Sequence, residues 1–154
     1  MKRGGALTRR TPLRQQALIG RGRRSALKRL EDELDDLWSL VVKTRDGWTC
    51  QRTGKVFPPG TRRGLDAAHI WSRGASRLVR WDLDNGVALN SGTHMYYHRH
   101  PLAFLTWARQ RLGEERFDRL RIRSKTVGRG LVDREATRLY LRAELARLTE
   151  KVPV

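Results

Sequence analysis

The part of this chain that can form a β-sheet is very short, and this limits the folds open to its 154 residues. Two brief apolar stretches, 65–70 and 86–89, are typical of short strands, and a basic loop over 71–84 separates them. Residues 47–64 are dense in turn formers. Because so small a hairpin cannot hold together unaided, we expect flanking helices, and any metal bound there, to supply the core.

An amphipathic helix is predicted ahead of the hairpin, over about 26–44. Acidic residues alternate with apolar ones, and the acidic cluster should leave its polar face to solvent or to neighbouring arginines. The apolar residues recur at three- and four-residue steps: Leu27, Leu30, Leu34, Leu37, Trp38, Val41 and Val42. We therefore expect this helix to pack behind the hairpin as scaffold.

Helices are also predicted after the hairpin. The first begins near Ser91. The second and third span 101–112 and 114–123, and the fourth runs from a cap at Asp133 to about 148. Pro101 suits a first helical turn, and Leu102 and Trp107 belong to the predicted inward stripe of that helix. The expected fold class is therefore α+β and predominantly helical, with a small two-stranded core between N- and C-terminal helices.

The charge of the chain indicates a polyanionic partner. Its 33 Lys and Arg residues against 16 Asp and Glu give a formal charge of +17, and nucleic acid is the first choice. Residues 1–30 hold ten of the basic residues and no acidic one. We expect 1–24 to be a disordered basic tail that binds phosphates, and 25–150 to be a single domain with its core at about 47–100. A merely solubilising tail is the alternative.

Membrane and disulfide-dependent classes are disfavoured. No apolar run approaches the roughly 20 residues that span a bilayer, and Met1 is not followed by a hydrophobic signal segment. The single cysteine, Cys50, excludes an intramolecular disulfide and cannot build a cysteine-rich zinc site alone. We therefore expect a soluble cytoplasmic protein with no membrane partner.

Histidines around the predicted hairpin indicate phosphodiester chemistry. His69 ends the first strand, Asn85 follows 16 residues later, and His94 another 9 residues on. An imidazole that titrates near 6.5 can take a proton from water, which suits His69 as general base, while the Asn85 amide can fix the loop that carries it. His94 and His98 share a helix face and can reach one cation. Each residue also has a purely structural interpretation, as a backbone-bonded histidine, a turn asparagine or surface histidines.

These residues resemble the HNH, or ββα-metal, endonucleases, and more narrowly the phage recombination endonucleases of the NinG/Rap type. The resemblance covers about 34–148 and rests on Leu65-Asp-Ala-Ala-His69, Ser72-Arg-Gly-Ala75, Leu78-Val-Arg-Trp81, Asp84-Asn85 and the helices at 102–122 and 132–148. It implies a metal-dependent DNA endonuclease that leaves 5′-phosphate and 3′-hydroxyl ends on branched or otherwise structured DNA. His69 would be the base, Asn85 the positioning residue, and His94 and His98 the metal-facing residues.

The chain departs from the family at the metal. Many HNH enzymes place a metal-binding Asp or His directly before the base, where this chain has Ala68. Asp66 is the candidate for that ligand, with Asp82, Asp84 or a water as alternatives. We expect one divalent ion, Mg²⁺ or Mn²⁺, although two imidazoles also accept Zn²⁺, Ni²⁺ or Co²⁺.

A second departure concerns structural zinc, which many relatives bind through two Cys-x-x-Cys knuckles. The matching places here read Cys50-Gln-Arg-Thr53 and Asn90-Ser-Gly-Thr93. One thiolate with Asn and Thr does not hold zinc, so no structural zinc bound by four cysteines is expected. Hydrogen bonds and apolar packing should take its place.

The basic loop supplies the candidate DNA-binding residues Arg73, Arg77 and Arg80, and Trp71 and Trp81 at its ends can stack on bases. Two other functions stay open: a non-catalytic DNA-binding or recombination accessory protein on an HNH-like scaffold, and a basic RNA-binding or ribosome-associated protein. A homodimer and a partner in the recombination machinery are both compatible with the resemblance. For a phage-encoded protein, the compartment would be the host cytoplasm.

Overall fold

The computed structural model of the protein describes the backbone of residues 12–126 and 132–150, and the side chains from residue 25 onward in those ranges. The chain divides into two compact units, residues 1–33 and 34–154. In the first unit the described backbone is helical, and Lys28 forms an ion pair of 2.8 Å with Asp32 on the next turn. Every candidate site residue named above belongs to the second unit.

Helix α1, Pro12–Arg45, starts well before the helix predicted over 26–44. The disordered tail predicted over 1–24 therefore differs from the structure at 12–24, whose backbone is helical, while 1–11 lie outside the described residues. Proline is well suited to the first helical position because its missing N–H has no partner there. Gly20 and Gly22 each cost only about 1 kcal/mol within a helix, so they weaken helix formation without preventing it.

The second unit begins at the point where α1 becomes buried. Leu34, Trp38, Val41 and Val42 follow one another at the spacing of one helix face, and all four are buried. Residues 25–33 are exposed or only half-buried. The buried face of α1 thus starts at Leu34, and the single domain over 25–150 stays a prediction.

The sheet is a single antiparallel hairpin within the described residues. Strand β1, Leu65–His69, pairs with strand β2, Gly86–Asn90, so that Leu65 lies opposite Asn90 and His69 opposite Gly86. Each strand differs from its predicted range by one residue at its C-terminal end. This register places His69 beside Asn85, which immediately precedes β2.

The end of α1 holds β2 in place. Arg45 donates through Nη1 to the Leu83 carbonyl at 2.7 Å and through Nη2 to the Gly86 carbonyl at 2.8 Å. Asp46 accepts the Ala88 amide at 2.8 Å, which satisfies a donor on the open side of the strand. A Cβ on Gly86 would lie 2.5 Å from Val42 Cγ2, so α1 and β2 approach too closely for any side chain there.

Helices after the hairpin are α2, Ser91–Arg99; α3, Pro101–Leu112; α4, Glu114–Lys125; and α5, Arg134–Glu150. The predicted cap of α5 is confirmed, because the Asp133 carboxylate accepts the Ala136 amide at 3.0 Å. The inward stripe predicted for α3 is wrong at Leu102, which is 79% exposed. Phe104 and Ala108 are the buried residues of that helix.

The core joins the hairpin to α2 and α3. Its buried members are Cys50, Leu65, Ala68, Val87, Ala88, Leu89, Tyr97 and Phe104. Helices dominate the described residues and one antiparallel pair forms the sheet, so the predicted α+β, predominantly helical class is confirmed. Among the helices of the described ranges, none has both the length and the apolar character needed to cross a bilayer.

Candidate functional site

His69 is held on two sides at the C-terminal end of β1. Its ring stacks on the ring of Trp38, with centroids 3.9 Å apart and planes 14° from parallel. Its Nε2 lies 2.8 Å from the Arg80 carbonyl oxygen. A carbonyl can only accept, so Nε2 carries the proton and Nδ1 keeps its lone pair, which no described residue engages. His69 therefore has a defined orientation and a defined neutral tautomer.

The surroundings of His69 favour its neutral form. Burial lowers the pKa of His69 to about 4; the hydrogen bond to the Arg80 carbonyl works in the opposite direction, and the charge of Arg73 adds to the lowering. An imidazole with this pKa is almost entirely unprotonated at neutral pH. Nδ1 therefore holds a free lone pair at neutral pH, while burial makes it a weaker base than the imidazole of an exposed histidine.

Asn85 ties together the loop between the strands. Its side chain is fully buried; the amide nitrogen donates to the carbonyls of Trp71 at 3.0 Å and Val79 at 2.9 Å, and Oδ1 accepts the Trp71 amide at 2.7 Å. The Asn85 backbone carbonyl also accepts the Ile70 amide, at 2.9 Å. The loop that presents the Arg80 carbonyl to His69 is therefore fixed by one side chain.

Asp35 on α1 fixes the same loop from its outer side. The carboxylate accepts from Arg80 at 3.0 and 2.6 Å, from the Trp81 indole at 2.9 Å and from Arg73 at 3.0 Å. Burial raises the pKa of Asp35, but the hydrogen bonds from Arg80 and Trp81 and the charges of Arg80 and Arg73 outweigh it and hold the pKa below its usual value. We call Asp35, Arg73, Arg80 and Trp81 the Asp35 cluster.

A second group of candidate residues joins β1 to α2. His94 Nδ1 lies 3.1 Å from Asp66 Oδ2, and the rings of His94 and His98 have centroids 4.7 Å apart. The pairing leaves His94 Nε2 and Asp66 Oδ1 for other ligands. An imidazole that donates one nitrogen to a carboxylate while the other binds a cation is a common arrangement in metal sites.

The alternative ligands Asp82 and Asp84 are committed elsewhere. Asp82 binds Arg123 of α4 at 2.8 Å and accepts the Asp84 amide at 2.9 Å. Asp84 binds Arg116 and, at 3.3 Å, Arg123. Ala68, which directly precedes His69, is fully buried and lies opposite Val87. Asp66 is therefore the carboxylate that lies beside the helix histidines.

The donor set suits an ion that keeps most of its own water. In the described ranges, no group of three or more His, Cys, Asp and Glu side chains is arranged to hold a metal ion. Mg²⁺ usually binds one or two carboxylates and completes its shell with water and substrate phosphate, so Asp66 offers one ligand of that type, while the His94 imidazole is of the type that transition-metal ions prefer. The ligand set of Asp66, His94 and His98 stays a prediction.

The positions that match the zinc knuckles of HNH proteins are joined by hydrogen bonds. Asn90 Nδ2 lies 3.5 Å from Cys50 Sγ and 3.1 Å from Thr53 Oγ1, and Asn90 Oδ1 accepts the Thr93 amide at 2.8 Å. Asn90 thus links the turn at 50–53 to the start of α2.

The residues predicted to bind nucleic acid have different surroundings. Arg73 and Arg80 are paired with Asp35, whereas Arg77 is exposed and its side chain has no ion-pair partner in the part of the chain that the structure describes. Trp81 is buried in the Asp35 cluster and is not available to stack on a base. Trp71 is half-buried, with its ring 5.1 Å from that of Phe117.

The structure assembles the predicted residues into two groups. One contains His69, Asn85 and the Asp35 cluster, and the other contains Asp66, His94 and His98; strand β1 connects them. Asp35 as a partner of the loop and Trp38 as the ring that covers His69 were not predicted from the sequence. The only sequence signal was the acidic cluster in the first helix, for which neighbouring arginines were one expected partner.

Comparisons of the chain with protein-family models, with curated proteins and with solved structures found no match. The functional interpretation therefore depends on the residues and geometry described above.

Proposed function

We propose that the protein is a metal-dependent DNA endonuclease of the HNH type that hydrolyses phosphodiester bonds. The observation that carries the proposal is the state of His69, a neutral imidazole whose Nε2 is bound to a backbone carbonyl and whose Nδ1 has no partner among the described residues. A buried structural histidine commonly uses its hydrogen-bonding atoms within the protein. His69 keeps a basic nitrogen for a group outside it.

In this proposal, His69 Nδ1 takes a proton from a water molecule whose oxygen attacks phosphorus in line with the departing O3′. The phosphate charge raises the pKa of a neighbouring imidazole, so the base becomes stronger once DNA is bound. Trp38 and the Arg80 carbonyl keep the ring from turning. Positioning of this kind supplies much of the acceleration in phosphoryl chemistry.

Asp66 and His94, with His98 beside them, would hold the divalent ion. When bound, this ion neutralises the charge that develops on the leaving oxygen and on the phosphate. Asp66 and His69 are three residues apart on β1, about 10 Å along an extended strand.

DNA attraction is supported by the formal charge of +17, and the exposed Arg77 is the loop arginine best placed to meet a phosphate. Charge gives affinity for any nucleic acid, so the choice of DNA rests on the resemblance to HNH endonucleases. We propose branched or otherwise structured DNA as the substrate on the same ground.

The test is cleavage of supercoiled plasmid and of a branched DNA in EDTA, Mg²⁺ and Mn²⁺. His69→Gln is the main variant, because its amide can still donate to the Arg80 carbonyl but cannot act as a base. We expect cleavage only with metal, and a loss of about 10²- to 10⁴-fold in the variant. Leu139→Gln, which places the same amide at an exposed position of α5 outside both groups of candidate residues, is the control and should cleave normally. Equal cleavage by wild type and His69→Gln would refute the assignment of the base.

A non-catalytic DNA-binding protein on the same scaffold is the second candidate. Ala68 favours it, since a buried alanine stands where many HNH enzymes have a metal ligand. Tight DNA binding without cleavage in any metal would support this candidate against the enzyme.

A further inference from the structure

A groove of about 700 Å³ lies beside α2 and α3, next to the candidate site. Its volume is within the range of sites that bind small molecules, about 300–1,000 Å³. The residues that matter for its chemistry are Arg52, Thr93, Tyr96, Thr106, Trp107 and Gln110. We call it the α2–α3 groove.

The wall of the groove is aromatic and firmly supported. Tyr97 stacks on Phe104 at 4.7 Å and on Trp107 at 5.7 Å, with interplanar angles of 17° and 25°. Tyr96 is 53% exposed; its ring lies 4.4 Å from that of His100 and 5.5 Å from that of Tyr97, at interplanar angles of 36° and 59°. An exposed tyrosine ring offers a face to another flat ring, and nucleobases stack on such rings irrespective of sequence.

The charge of the groove suits a phosphate. Arg52 is exposed at its edge, and none of the lining residues that the structure describes is acidic. A second groove, of about 390 Å³, shows the contrast: it contains Tyr140 together with Asp82 and Asp84. Burial and the charges of Glu144, Asp82 and Asp84 raise the pKa of Tyr140. The first groove therefore combines a cationic edge with a lining that has no acidic residue among those described, and the second groove does not.

The polar groups of the groove can contact the edge of a base. Gln110 and Thr106 are exposed on α3, and Thr93 is on α2. An amide offers a donor and an acceptor together, as the edge of a nucleobase does. The groove thus combines a stacking surface, a cation and an amide, which are the recognition elements of single-stranded nucleic acid.

The groove also borders the candidate metal-binding residues. Thr93 and Tyr97 directly precede His94 and His98 on α2, and consecutive helical residues point about 100° apart. The two faces of α2 are therefore adjacent, and a DNA strand that passes His94 can continue into the groove.

We propose that the α2–α3 groove binds an unpaired nucleotide of the substrate next to the cleavage site, with the base on Tyr96 and its phosphate on Arg52. This inference rests on the proposed nuclease function. It adds a structural basis for preferring DNA with a single-stranded segment over continuous duplex.

The test measures binding separately from cleavage. The His69→Gln protein is titrated, in EDTA, into a labelled blunt duplex and into the same duplex with a single-stranded overhang. Fluorescence anisotropy of the DNA gives the affinity for each. In this His69→Gln background, Tyr96→Ala should weaken binding to the overhang DNA about tenfold and leave binding to the blunt duplex unchanged. Tyr96→Phe should retain the affinity for the overhang DNA. Tyr140→Ala, which removes a ring that is 55% exposed in the acidic groove, is the matched control and should change neither affinity.

A 2-aminopurine placed in the overhang gives a second measurement. Its fluorescence should be quenched on binding to protein with Tyr96 or Phe at this position, and less so with Ala. The groove inference is overturned if Tyr96→Ala affects overhang and duplex alike, or affects neither. A wild-type protein that never cleaves but shows the selective loss would refute the nuclease function and leave the nucleotide site standing.

Discussion

Replacing His69 by Gln should remove an acid-sensitive part of the protein's stability. An unfolded histidine has a pKa near 6.5, whereas burial holds the pKa of His69 at about 4 in the folded protein. Between these two values the unfolded state binds more protons than the folded state. The contribution of His69 to the free energy of unfolding is therefore fully present above about pH 6.5 and is lost as the pH falls toward 4.

The magnitude follows from the two pKa values. At pH 7 the folded imidazole is neutral, and the unfolded one is about three-quarters neutral. At pH 5 the unfolded imidazole is almost fully protonated and the folded one is mostly neutral, which lowers the free energy of unfolding by about 2 kcal/mol. A glutamine does not titrate, and its amide can make the same hydrogen bond to the Arg80 carbonyl. The variant should lack this pH-dependent loss whatever its stability at pH 7.

Urea unfolding followed by tryptophan fluorescence, at pH 7 and at pH 5, measures the difference. Between these pH values the wild type should lose about 2 kcal/mol more than His69→Gln. His100→Gln removes an exposed histidine and should keep the wild-type loss. If wild type and His69→Gln lose the same amount, His69 is not a buried neutral imidazole, and the assignment of Nδ1 as the basic nitrogen loses its support.

Three further substitutions test the surroundings of the base. Asn85→Ala should lower the free energy of unfolding by about 2–4 kcal/mol in urea unfolding, since it leaves buried loop amides and carbonyls without partners. Gly86→Ala should cost about 1–3 kcal/mol and alter the fluorescence of Trp38, because the added Cβ would lie 2.5 Å from Val42 and 2.6 Å from Trp38. Asp35→Asn should cost about 2 kcal/mol and slow cleavage, with Asp35→Glu recovering part of the rate; unchanged stability and rate in Asp35→Asn would contradict the role of the cluster.

Local patterns were sufficient to predict the hairpin, the helices after it and the cap at Asp133. Those features depend on neighbouring residues, as when proline begins a helix or an asparagine precedes a strand. The helical state of 12–24 was not predicted, because its glycines and dense positive charge favour disorder over the helix formers between them. The exposure of Leu102 was missed for another reason: helical spacing defines a face but does not say which neighbour will cover it.

The partners of His69 depend on contacts between distant parts of the chain. Trp38 and His69 are separated by 31 positions in the sequence, and Asp35 and Arg80 by 45. No periodic pattern links positions at such separations, so the sequence could nominate a base but not the ring that buries it. Burial is the largest cause of the low pKa of His69, and so the chemical state of this proposed base follows from the tertiary fold.

The same reasoning applies to the arginines of the loop. The sequence does not distinguish Arg73, Arg77 and Arg80 as candidate phosphate-binding residues, because each carries one positive charge in a basic segment. In the fold, the charge of Asp35 is shared by Arg73 and Arg80, and the Arg80 guanidinium is largely buried against it. A phosphate that approached this pair would have to overcome the nearby carboxylate, whereas at Arg77 it meets an uncompensated cation in the described structure. Net charge alone therefore favours a polyanionic partner, and the position of Asp35 singles out Arg77 as the arginine of the loop proposed to contact its phosphates.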